Sequence, residues 1–373
     1  MKKLIVFFTV FLFTHSIFAQ RDEIAFIKQY WKTDKSNFSI DPKEFKAYLP
    51  KDAFPILNDP VFLNSRESHQ LYYASEPLLV VSLNGVEKAY PLTVLRYHGL
   101  VNDRIAGEPI LVTYCMLSGV ARVFSRDIQW QDKSVELVFG FSGMLCRSNI
   151  VLYDQQTKSW WNQLTGKATV GVFNQVVIRP IPAIIMPFKD FFKTYPYGLI
   201  LKKVEKNIPY HQNPYYRYDA DKSSHPFLFA QKPDGRLLPK EKALFFELGN
   251  KPYLFPYERA AKADVFNLSL NHYFVTVFFA DSVLNIADGL DIDESSLKPS
   301  PYVYASSVDG QVLTFQKKNN TYYDQQTHSQ WNRFGECIEG ELKGKKLERI
   351  PFFEGYSFAL LAFYPQAQIF YPD

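Results

Sequence analysis

The sequence predicts a β-rich α+β protein: two related, mostly antiparallel β domains from an internal duplication. Three observations carry this. Tyr153 to Asn162 (Tyr-Asp-Gln-Gln-Thr-Lys-Ser-Trp-Trp-Asn) recurs 170 residues later as Tyr323 to Asn332, with eight of ten positions identical. A self-match at a fixed offset is the signature of repetition. Flanking segments fall into loose register as well: Gly85–Leu92 resembles Gly249–Pro256, Ile110–Tyr114 resembles Tyr273–Val277, and Gly166–Gly171 resembles Gly335–Gly340. Finally, 17% of the residues are aromatic, including 33 Phe and 24 Tyr, and flat side chains suit a pleated, half-buried surface.

Length agrees with this organisation, because 373 residues exceed one ordinary core. The expected division is a leader at 1–19, a first repeat domain at 20–179 with an N-terminal helical extension, a Pro/Tyr-rich connector at 180–241 and a second repeat domain at 242–373. The leader has a basic start, Met1-Lys2-Lys3, and an apolar run from Leu4 to Phe13. That run is too short to span a bilayer, and Ala19 precedes the expected cleavage point of a signal peptide. The mature chain is therefore expected to be exported, periplasmic or extracellular, with no transmembrane segment. The formal charge of +4 includes Lys2 and Lys3 of the leader, and no basic stripe is present, so no nucleic-acid partner is indicated. A small-molecule or protein partner is left unspecified.

In chain order, Asp22 caps a helix whose apolar face runs to Trp31. A turn at 39–42 leads to a short helix at 43–48, and 56–62 is an extended connector. Leu78–Leu83, the Asn84-Gly85 turn and the return strand through Tyr90 form a hairpin, with Pro91 marking an edge or a strand end. A short helix over 92–100 carries His98. Strands follow at 110–114, 120–124, 135–139 and 149–153, with Ser142-Gly143 read as a loop leading to Cys146. Repeated prolines break up 180–240, where one helix starts after Pro187. The segment 286–301 reads as a surface loop and 352–363 as a late helix.

The repeated Tyr-Asp-Gln-Gln-Thr string has turn chemistry. Asp154, Thr157, Asp324 and Thr327 can hydrogen-bond nearby backbone amides, and Trp161 and Trp331 can bury large rings on the next strand. This reading makes all six structural. The one cluster with reactive chemistry lies in the first half: His98, Asn102, Asp103, Cys115 and Cys146, with Tyr114 and Ser142 beside them as further candidate ligand-binding residues. Soft sulfur with imidazole suits copper or zinc at His98, Cys115 and Cys146. A Cys–His pair could equally act as a nucleophile, and Cys115 and His98 could simply be buried scaffold. Three cysteines allow at most one disulfide, Cys115–Cys146 among the options. Phosphate-binding loops, a G-x-S-x-G elbow and an H-E-x-x-H helix do not occur.

Together, Lys88–Leu92 (Lys-Ala-Tyr-Pro-Leu), His98, Val101-Asn102-Asp103, Val112–Cys115, Phe139–Gly143, the Tyr153–Trp161 motif and its second copy resemble the bacterial domain of unknown function 3179 family across most of the mature chain. That family usually has His-Glu where this chain has His98-Gly99, and Cys-Pro-Leu-Cys where it has Cys115-Met116-Leu117-Ser118. The resemblance therefore implies loss of a second cysteine, which weakens a redox role and leaves a mononuclear metal site open. Two functional readings lead: an exported ligand- or partner-binding module with a site in the first domain or between the halves, and a metal-dependent, copper-type oxidoreductase using His98 and Cys115. A third, an interaction module displaying aromatic surface, expects neither metal nor small ligand.

Overall fold

The computed structural model describes residues 31–203, 207–256, 264–270, 272–319 and 321–371. It is β-rich and mostly antiparallel; among the described strand pairings, three are parallel. The leader and the helix expected from Asp22 lie outside the described residues. No described helix is long and apolar enough to cross a membrane.

After short strands at Phe45–Ala47, Leu57–Asn58 and Phe62–Leu63 and a helical turn at Ser65–Ser68, the first half runs through a hairpin, Pro77–Leu83 with Val86–Pro91. Its turn residues Asn84 and Gly85 have φ of 51° and 76°, the backbone that an Asn-Gly pair adopts at low cost. The helix Leu92–His98 follows and stops at Gly99, whose φ is +70° and whose N–H bonds Leu95 O at 2.8 Å. A Cβ at Gly99 would stand 2.8 Å from the Phe54 ring, so only glycine ends the helix there. Leu100–Ile105, Glu108–Cys115 and Val120–Ser125 form a meander. A second meander runs through Phe139–Cys146, Asn149–Asp154, Trp160–Asn162 and Ala168–Val170. The chain then returns. Pro180–Ile181 pairs with Val120–Ser125, Ile184–Pro187 pairs with Pro77–Leu83, and beyond the helix Phe188–Thr194 the strand Leu199–Leu201 runs parallel to Val86–Pro91.

The second half repeats this order. The hairpin Lys242–Leu248 with Lys251–Phe255 turns at Gly249-Asn250, again with positive φ. The meanders are Val265–Leu270, Tyr273–Leu284 and Leu297–Ala305, then Phe315–Lys318, Thr321–Asp324, Gln330–Trp331 and Cys337–Glu339. Phe352–Tyr356 pairs back onto the hairpin, the helix Ser357–Phe363 follows, and Gln368–Ile369 runs parallel to Lys251–Phe255.

Several expectations need correction. Residues 43–48 form a 3-10 turn at Pro42–Glu44 and a strand at Phe45–Ala47, which adds to Phe139–Cys146. Ser142 and Gly143 lie inside that strand, at a bulge between Phe141 and Leu145; the glycine signal marked a bulge, not a loop. Residues 180–201 are sheet and helix of the first half, because their prolines sit at strand ends; only 207–241 lack strand and helix. Within 286–301, Ile286, Ala287 and Ile292 are buried and Leu297 begins a strand. Residues 352–356, expected to be helical, are strand.

The halves share a core. Val120 and Leu164 of the first half pack with Ala243, Leu254, Tyr356 and Leu360 of the second, each fully buried Val or Leu side chain contributing about 1.5–3 kcal/mol. Tyr356 N–H also donates to Ser118 O at 2.8 Å. A Cβ at Gly119 would meet the Tyr356 ring at 3.2 Å.

Candidate functional site

The repeated turns have one geometry. Asp154 Oδ1 accepts from the Thr157 amide and hydroxyl, and its Oδ2 accepts from Trp161 Nε1 at 2.9 Å. Asp324 does the same with Thr327 and with Trp331 Nε1 at 2.9 Å. Both carboxylates and both indoles are fully buried. Each carboxylate closes its turn and satisfies an indole N–H that would otherwise be orphaned. The six residues therefore act as scaffold, leaving neither Asp free for acid–base chemistry.

His98, Cys115 and Cys146 do not come together. His98 is fully buried; Nδ1 donates to Pro55 O, and Nε2 accepts from the Tyr210 hydroxyl at 2.7 Å. A neutral ring satisfies both bonds. Cys115 packs among Leu100, Leu111 and Trp161, whereas Cys146 packs in a separate cluster with Trp31, Phe45 and Trp160. Neither is in a disulfide. Burial raises the Cys115 thiol pKa and pushes Cys146 up to about 12, so both stay protonated and unreactive at neutral pH. Among the described residues no group of three or more His, Cys, Asp or Glu side chains could hold a metal ion. The copper or zinc set drawn from the sequence is thus not assembled, because its members sit on one helix and two strands, with the two cysteines in different cores.

Asn102, Asp103 and Ser142 are structural too. Asn102 clamps two sheets, donating to Phe139 O at 2.9 Å and Asn58 Oδ1 at 2.9 Å while accepting from Phe139 N at 3.0 Å. Asp103 holds Lys88 at 2.9 Å and the Tyr90 hydroxyl at 2.6 Å. Ser142 Oγ accepts from Met144 N at 3.0 Å, closing the bulge.

Tyr114 differs. It lines a cleft between the halves with Arg122 from the first half and Lys242, Asn285, Lys298 and Glu354 from the second. Leu79, Leu92, Val123, Ile181 and Ile185 supply an apolar wall. Tyr114 is only 8% exposed, burial pushes its pKa up, and its hydroxyl has no hydrogen-bond partner among the described residues. Arg122 likewise makes no side-chain hydrogen bond or ion pair among them. Its guanidinium lies 4.1 Å from the Phe353 ring centroid and 5.1 Å from that of Phe124, and desolvation lowers its pKa. The other charges are engaged: Lys298 pairs with Glu354 at 2.8 Å, and Lys242 donates to Asn285 Oδ1 at 3.1 Å. The cavity of about 50 Å³ has room for about three or four waters, or for one small ligand group in their place.

Sequence reasoning missed Arg122, Lys242, Lys298 and Glu354. The available signal was Arg122, a lone charge inside the apolar strand Val-Ala-Arg-Val-Phe. The others lie on strands distant in sequence.

Residues 51–367 match a family model described as a protein of unknown function, DUF3179, and the chain belongs to that family. No curated protein and no solved structure matches it.

Proposed function

We propose that this DUF3179 member is an exported binding module whose two halves, descended from one duplicated unit, hold a small ligand in the cleft between them. One observation carries the binding reading: the Tyr114 hydroxyl and the Arg122 guanidinium line the cleft with no hydrogen-bond partner among the described residues, so their donors are free for a bound molecule. A ligand that bonded both would exchange cleft hydration for direct, charge-assisted hydrogen bonds. Duplication is supported by the 170-residue self-match, by the matching strand order, and by the Asp–Thr–Trp hydrogen bonds that recur at 154–161 and 324–331. The basic and apolar start of the chain supports export.

The test is the ligand carried by the protein itself. The full-length chain is expressed in its natural host, purified from the exported fraction, denatured, and the released small molecules are measured by mass spectrometry. Wild type should release a compound stoichiometrically, and Ala183→Trp, which fills the cleft, should not. Equal release from both would overturn the cleft. Recovery only from the cytoplasm, with residues 1–19 retained, would overturn export.

A further inference from the structure

We infer that the cleft ligand is a small organic monocarboxylate: one carboxylate held by Arg122 and the Tyr114 hydroxyl, with an apolar body against Leu79, Val123 and Ile181. This rests on the cleft being a binding site and adds the ligand's class. The charge count comes from which cations are uncommitted. Lys298 is engaged by Glu354 at 2.8 Å. Lys242 donates to Asn285 at 3.1 Å and helps hold the Asp219 carboxyl below its ordinary pKa against the opposing effect of burial. Among the described residues Arg122 alone of these cations makes no direct ion pair or hydrogen bond, and Glu247 acts on it only at longer range.

A guanidinium presents two parallel N–H groups that match a carboxylate. The Phe353 and Phe124 rings flank it at 4.1 and 5.1 Å, which orients its plane and lowers the entropy lost on binding. The hydroxyl of Tyr114, a residue in the same wall, can donate to a carboxylate oxygen. The nearby Glu354 carboxylate disfavours a dianion, and a cavity of about 50 Å³ excludes a bulky headgroup.

Calorimetric titration at low salt tests this with butyrate, its neutral isostere butyramide, and methyl phosphate, on wild type, Arg122→Gln, Arg122→Lys and Tyr114→Phe. All four proteins are first checked for equal unfolding midpoints. Butyrate should bind wild type saturably. Arg122→Gln should lose at least about tenfold, the value of a charge-assisted bidentate pair. Arg122→Lys should recover part of that loss, and Tyr114→Phe should lose a few-fold. Butyramide binding as tightly as butyrate would overturn the anion class while leaving the cleft reading intact. Preference for methyl phosphate would overturn the carboxylate. Equal binding by Arg122→Gln, or no butyrate binding to wild type at millimolar concentration, would overturn the assignment, and ligand release blocked by Ala183→Trp would still decide the cleft independently.

Discussion

The two Asp-Gln-Gln-Thr turns are superimposable in chemistry; the two strands that follow the equivalent apolar strand in each half are not. Asp154 and Asp324 make the same side-chain bonds to Thr and Trp. Gly166 abuts Phe124 and Ile178, and Gly335 abuts Tyr304 and Leu347, which places Phe124 opposite Tyr304 in the comparison and Arg122 opposite Tyr302. Tyr302 is a fully buried ring packed edge-on against Phe334. Arg122 lines the cleft. The turn hydrogen bonds are kept in both halves, while Arg122 and Tyr302 mark a chemical difference at the cleft.

The largest expected effect tests the shared part. Asp154→Ala removes acceptors for the Thr157 amide and the fully buried Trp161 indole, which should cost about 3 kcal/mol or more. Asp324→Ala should cost a similar amount, read by urea unfolding. A loss at Asp324 below half that at Asp154 would break the equivalence.

A second pair should differ in a defined way. Asn267 Nδ2 donates to Phe315 O at 2.9 Å and its Oδ1 accepts from Phe315 N at 2.9 Å, the same clamp that Asn102 makes on Phe139. Asn102 has one further bond, to Asn58. Asn102→Ala should therefore cost about 2–3 kcal/mol and Asn267→Ala about 1 kcal/mol less. Equal losses would mean that the Asn58 bond contributes nothing.

High pH should expose the cysteine packing. Cys146, with its pKa pushed from 9.0 to about 12 by burial, binds its proton more tightly when folded. Its contribution is complete below about pH 9 and is lost as pH rises toward about 12; buried tyrosines such as Tyr97, also pushed up to about 12, act in the same direction. Unfolding midpoints should fall across that window, and iodoacetamide at pH 8 should label Cys115 and Cys146 only after denaturant is added. Rapid labelling of the native protein would show that a thiol is open to solvent.

Much of the scaffold was legible because its signals are local. The Asn84-Gly85 turn, the helix ending near His98 and the Asp154 turn each depend on neighbours within a few residues. The errors arose where local composition was overridden. The prolines of 180–201 suggested a connector, yet Pro180 and Pro187 occupy strand ends where no ladder donor is needed. Ser142-Gly143 carried a loop signature, but the pairing of Phe139–Cys146 with Asn149–Asp154 absorbs them as a bulge. The candidate site was legible only through Tyr114. His98 and Cys115 are close in sequence, but side-chain direction along a strand and helix sends them to different partners. The cleft needs Lys242, Asn285, Lys298 and Glu354 from the other half, a juxtaposition that long-range packing alone creates.

The smallest stability effect is the most telling for the contrast between the halves. Arg122→Leu removes no hydrogen bond or ion pair among the described residues, only stacking on Phe353 and Phe124, worth about 0.5–2 kcal/mol. Against that loss stands relief of a partly desolvated charge. The two nearly cancel, so the ligand-free unfolding midpoint should move by no more than about 1 kcal/mol in either direction. Tyr302→Ala, the same position in the other half, empties a fully buried ring site and should cost about 3–5 kcal/mol. A residue retained without a stability benefit, opposite one retained for packing, is what a binding role predicts. If Arg122→Leu instead cost as much as Tyr302→Ala, Arg122 would be scaffold, and the two halves would differ in shape without differing in purpose.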